Sequence, residues 1–246
     1  MLTFQDIQPD RPDLEEIAAR YRGIEQQFQE AKDARDQLEA VQRWDALRRE
    51  LETWGAVTQL RFHQDTRNEL YKREREFCDE VTPKFTDYDV RVKKKLLSSR
   101  YRPELEQKLG TTVFALWEAD VLSFDPVIEA DLVRLAKLEA EYSELCAEAE
   151  LTFQGEKYNL SGIVKFREHA DRETRYAAEK VRWQWFADNR EALDRIFDDQ
   201  VRLRQEMAKK LGFENFVGLG YKRMKRVDYN EQDVESFRAE VRNVLV

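Results

Sequence analysis

The sequence predicts an all-α fold: a multi-helix antiparallel lobe carrying one small β-hairpin near residues 151–160. Three observations carry that prediction. Charged residues form 37% of the 246-residue chain, while only 8 glycines and 5 prolines interrupt it, a balance that suits long helices. Apolar residues recur at steps of three and four along most of the chain. Finally, 14 Phe, 9 Tyr and 5 Trp supply ample surface to bury, which separates the chain from disordered sequences of similar charge.

The elements follow in order. Asp13-x-x-Glu16, after Pro12, has capping-box spacing and starts a helix striped by Leu14, Ile17, Tyr21, Ile24, Phe28 and Ala31. From Ala34 a second stripe runs through Leu38, Val41, Trp44, Leu47, Leu51, Trp54 and Thr58. The short polar connection "KDARD" makes these two helices antiparallel neighbours. Thr66-x-x-Glu69 restarts a helix carrying Leu70, Phe77 and Val81, which Pro83 is expected to stop or kink. Phe85, Tyr88, Val92 and Leu96 continue the pattern, and shorter helices follow near 103–108 and 112–122. A longer helix begins after "SFDP" and runs through Ile128, Leu132, Leu135, Leu138, Tyr142 and Leu145.

The segment "ELTFQGEKYNLSG" breaks the rhythm. β-leaning residues flank Gly155-Glu156, and a glycine at the first central position predicts a two-residue type II′ hairpin turn. Helices resume at Asp171, at about Arg190 to Leu211, with Gly212 as the left-handed cap, and from Asn230 onward. The expected division is a helical lobe over 1–125 and, over 126–246, helices plus the hairpin.

Composition narrows the function. The formal net charge of −8 lacks the basic excess of a nucleic-acid binder. No run approaches the ~18 apolar residues of a membrane span. The start "MLTFQDIQPDRPD" does not read as a signal peptide. Cys78 and Cys146 suggest neither a disulfide framework nor a metal knuckle, so a cytoplasmic setting is expected. His63 and His169 stand in "RFHQDTRN" and "REHADRET", neither of which forms His-Glu-x-x-His, and no Gly-x-Ser-x-Gly occurs. No catalytic residue and no metal ligand is therefore assigned.

The stretch "GLGYKRMKRVDYN" (218–230) lacks the third glycine and the preceding strand of a phosphate cradle. It reads as a structural corner after a short helical turn, with Arg223 or Arg226 clamping a carboxylate such as Asp228.

That corner also carries a family resemblance. "MAKKLGFENFVGLGYKRMKRVDYNEQDVESFRAEV" (207–241) resembles the oligoendopeptidase F branch of the thimet oligopeptidase family, which are zinc metallopeptidases. "RPDLEEI" (11–17), "RFHQDTRNELYKRE" (61–74), "LTFQGEKYNLSGIVKF" (151–166) and "DRETRYAAEKVRW" (171–183) continue the likeness upstream. The resemblance implies a mostly helical enzyme of two lobes around a channel that admits short peptides. It also implies zinc held by a His-Glu-x-x-His helix and a downstream Glu, with the motif's Glu activating water.

Those zinc-binding residues are absent from 1–246. The chain is thus expected to be the N-terminal portion, inactive alone and binding no zinc, with a C-terminal catalytic lobe as its partner. Val234, Phe237, Val241 and Leu245 form the apolar stripe of an amphipathic last helix. Tyr221, Arg223, Arg226, Asp228 and Tyr229 match the family pattern and are expected at the lobe junction or facing the peptide channel. Two alternatives are a stand-alone helical interaction module derived from such a lobe, and a separate chain that supplies the zinc half.

Overall fold

The computed structural model describes residues 6–245. The expectation about the first residues of the chain, and the place of the Leu245 side chain, lie outside what is described.

Helix α1 (Leu14–Glu30) begins at Asp13, whose Oδ1 accepts from the amides of Glu15 and Glu16, both at 2.9 Å. Its stripe Ile17, Tyr21, Ile24 and Phe28 is buried. Helix α2 (Ala34–Gln64) returns antiparallel: Gln37 donates to the Phe28 carbonyl, and farther along Arg20 pairs with Glu50 at 2.7 Å. Trp44, Leu47, Leu51 and Trp54 face α1 and the third helix.

Helix α3 (Glu69–Leu97) departs from expectation at three points. Its N-cap is Asn68, which accepts from the amides of Leu70 and Tyr71, while Thr66 is buried two residues earlier. Leu70 is 60% exposed and stands off the buried stripe. Pro83 also does not stop the helix, which continues through it to Leu97. A proline inside a helix costs about 3 kcal/mol through the lost hydrogen bond and ring clash. Here the same apolar face is buried on both sides of it, through Val81, Phe85 and Val92, so packing outweighs the local penalty.

Helices α4 (Arg102–Leu109) and α5 (Thr111–Leu122) close the first core, joined at Gly110. A 3-10 turn (Pro126–Ile128), capped by Asp125, leads into α6 (Glu129–Ala147), on which Tyr142 is exposed. Strands β1 (Leu151–Phe153) and β2 (Glu156–Tyr158) then pair antiparallel with Phe153 opposite Glu156. The turn residues are therefore Gln154 and Gly155, with φ of 52° and 83°, not Gly155-Glu156. Positive φ at both centres is type I′, the turn whose twist matches the strands, and it replaces the expected type II′.

A 3-10 segment (Gly162–Glu168), α7 (Arg172–Asp188) and α8 (Arg190–Lys210) follow. Gly212, at φ 82°, ends α8 in a Schellman motif: its own amide bonds Lys209 O, and that of Phe213 bonds Ala208 O. Last come α9 (Phe216–Arg223) and α10 (Glu231–Leu245).

Three apolar clusters hold these elements. The first joins α1 to α5. The second gathers Val90 of α3 with Leu135 of α6, Leu203 and Met207 of α8, and Leu219 of α9. The third packs the hairpin against Ile163 and α7. Helix α10 stands apart, with Phe237 at 65% and Val244 at 79% exposure. None of the described helices is long and apolar enough to cross a membrane.

Candidate functional site

The two glycines of 218–230 lie inside α9 rather than after it. A Cβ on Gly218 would stand 3.1 Å from Cδ1 of Phe213, so this glycine lets the helix lie tightly on that ring. One on Gly220 would meet Phe216 at an ordinary 3.6 Å.

Helix α9 ends in a second Schellman motif, with Lys225 at φ 55° in the position glycine usually takes. The Lys225 amide bonds Lys222 O at 2.9 Å and the Arg226 amide bonds Tyr221 O at 3.0 Å. A left-handed lysine costs roughly 1–2 kcal/mol. Its side chain uses that geometry to reach Asp120 of α5, whose Oδ1 lies 3.5 Å from Nζ. Asp120 Oδ2 is held by Lys93 of α3 at 2.9 Å. One carboxylate thus ties α3, α5 and the corner together.

The five sequence-selected residues separate into two sites. Arg226 packs against both Tyr221 and Tyr229, its guanidinium 4.9 Å and 5.4 Å from the two ring centroids, while the rings meet edge-on at 6.2 Å. With Asp228 and Tyr229 it lines a shallow hollow of about 340 Å³ beside α5. Arg223 instead lines a different, larger cavity. Among the described residues neither arginine pairs with Asp228, so the expected fork does not form. The packing of Arg226 against the two tyrosines takes the place of a carboxylate partner.

The larger cavity, of about 610 Å³, is walled by α2, α3, α5, α6 and the end of α9. Its charged groups are mostly spent on one another. Arg48 holds Glu52 at 2.9 Å, Arg75 holds Asp79 at 2.7 Å, and Lys93 and Lys225 share Asp120. Asp89 accepts two neutral donors on Oδ1, the Tyr21 hydroxyl at 2.8 Å and the Trp44 indole at 2.6 Å. Burial raises the Asp89 pKa above the usual carboxylate range, against the opposing pull of the Trp44 bond and the Lys93 charge. Arg223 keeps much of its surface open, yet the concave wall around it strips water and depresses its pKa. Such a group is still a cation at neutral pH.

Asp89, Lys93 and Asp120 were not singled out from sequence. The available signal was modest: Asp89 and Lys93 sit four apart inside the apolar pattern of α3, where solvated charges are out of place.

With this geometry in place, the comparisons are specific. Residues 4–124 match the Peptidase M3 N-terminal domain. A structure from Bacillus anthracis str. Ames, described as an oligoendopeptidase F, superposes with a TM-score of 0.93 at 35% identity. That alignment covers 98% of this chain and 44% of the other. The chain belongs to the oligoendopeptidase-F-like proteins of peptidase family M3. PZ peptidase A, solved with an inhibitor, gives 0.93 at 38% identity over 97% of this chain and 42% of its own. A further X-ray structure described as oligoendopeptidase F gives 0.95 at 36% identity, over 100% and 43%. The oligoendopeptidase-F-like chain thus spans less than half the length of the structures it matches. No curated protein matches it.

Family M3 implies zinc, and the described residues do not fit it. They contain no group of three or more His, Cys, Asp or Glu side chains placed to hold a metal ion. His63 meets the Phe62 ring edge-on in the last turn of α2, and His169 Nδ1 accepts from the Asp171 amide.

Proposed function

We propose that this chain acts as the N-terminal lobe of a zinc-dependent oligoendopeptidase that hydrolyses short peptides. The ion and the water it activates belong to sequence beyond the part matched here. The observation that carries the reading is likeness in order over 97–100% of the chain at 35–38% identity, against 42–44% of the relatives' length. In this role the lobe contributes walls rather than chemistry. It limits what enters, binds peptide groups, and presents α10 and the open faces of α7 and α8 to the remainder of the enzyme. Tyr176, Trp183 and Phe197 are each at least 60% exposed, which suits faces that another lobe covers.

The test is hydrolysis of an internally quenched peptide by a longer polypeptide that carries these residues followed by a His-Glu-x-x-His segment. Cleavage that stops on chelation and returns with zinc supports the reading. A well-folded longer protein that binds zinc but cleaves no peptide of any length would refute it.

A further inference from the structure

We infer that the cavity walled by α2, α3, α5, α6 and the end of α9 is a subsite for the free α-carboxylate of a short peptide, read by Arg223. The ligand class rests on the peptidase reading above.

The argument begins with the charges that line the cavity. Three of its cations are engaged within the protein: Arg48 with Glu52 at 2.9 Å, and Lys93 and Lys225 with Asp120 at 2.9 Å and 3.5 Å. Arg223 differs. Among the described residues it has neither an ion-pair partner nor a hydrogen-bond acceptor, so its five N–H donors are uncommitted. The carboxylate whose charge acts on it, Glu139, lies 3.7 Å from Arg204, which competes for it. Arg204 also repels Arg223, and the cavity walls on one side of it depress its pKa although much of its surface stays open. An unpaired guanidinium at the edge of a cavity gains from an incoming anion, and its planar fork matches a carboxylate two bonds at a time.

The rest of the cavity decides which anion. Its five carboxylates are answered within the protein: Glu52 by Arg48, Asp79 by Arg75, Asp120 by the two lysines and Glu139 by Arg204, while Asp89 accepts from Tyr21 and Trp44, so they do not repel a negative ligand strongly. A volume of about 610 Å³ falls within the usual range for small-ligand sites. Leu116, Trp117, Phe124 and Leu135 provide an apolar wall in the same cavity. A carboxylate flanked by an apolar side chain matches the terminal residue of a peptide, the class the peptidase reading supplies, whereas an acidic side chain would leave that wall unused.

The experiment is calorimetric titration of the 246-residue chain with two short peptides that end in Leu and differ only in a free or an amidated C-terminus. The acid should bind ~10-fold or more tighter, the range of one hydrogen bond to a charged group. Arg223→Gln should erase that preference while leaving the thermal melt unchanged, Arg223→Lys should keep part of it, and Lys222→Gln should keep all of it. Equal binding of acid and amide, no binding of either, or an undiminished preference in Arg223→Gln would overturn the inference. Absence of hydrolysis in a longer chain would bear on the peptidase reading alone and leave this comparison intact.

Discussion

The Tyr21 hydroxyl donates to Asp89 Oδ1 at 2.8 Å, joining the first helix to the third across the core. Trp44 of the second helix donates to the same oxygen at 2.6 Å. Three helices therefore meet on one part-buried carboxylate. Asp89→Leu leaves both donors without an acceptor, and each buried orphan costs about 1–3 kcal/mol. Urea melts should show a loss of at least ~2 kcal/mol for this variant.

Asp89→Asn isolates the pH dependence. Burial raises the Asp89 pKa in the folded state. A carboxyl raised on folding lends its stability fully below the unfolded pKa of about 3.9, and that contribution is lost as pH rises through the folded value. Asparagine does not titrate. The stability of Asp89→Asn relative to the parent should therefore be more favourable at pH 7 than at pH 4, by paired urea melts. A difference that is flat or reversed would count against the raised carboxyl.

The Arg75–Asp79 pair is buried on both sides, with side-chain exposures of 7% and 9%. Removing one partner strands a charge. Arg75→Leu should cost about 3–5 kcal/mol, while the double change with Asp79→Leu should recover much of the loss. A double-mutant cycle by thermal melts measures the coupling.

Much of this architecture was legible in the sequence, for a physical reason. Ile17, Tyr21, Ile24 and Phe28 are buried because a helix presents every third and fourth residue to one side, and that periodicity survives in any context. Asp13 and Gly212 act locally, so their caps were equally readable. What failed depended on distant parts of the chain. Pro83 stays helical because remote partners bury both of its flanks, and Arg226 finds two tyrosine rings instead of Asp228. The hairpin's turn moved by one residue because strand register, not the glycine alone, decides which residues become central. Asp120 as the anchor of the corner could not be read at all, since Lys225 lies 105 positions away and no local pattern links them.

The paired glycines of α9 predict opposite responses to one methyl group. Gly220→Ala has room and should gain close to the ~1 kcal/mol helix-propensity difference. Gly218→Ala meets the Phe213 ring at 3.1 Å and should forfeit most of that gain. Melting temperatures of the two variants, measured side by side, check the ordering.

Arg226→Ala removes both ring contacts at the corner. At ~0.5–1 kcal/mol for each exposed cation–π contact, the loss should reach about 1–2 kcal/mol, with Arg226→Lys falling between. Chemical denaturation of the three proteins tests it.

Metal analysis of residues 1–246 bears most directly on the proposed division of labour. After dialysis against micromolar zinc, the account predicts no stoichiometric ion on this polypeptide and no turnover of a quenched peptide. One zinc per chain, held in a tetrahedral site by these residues alone, would contradict it.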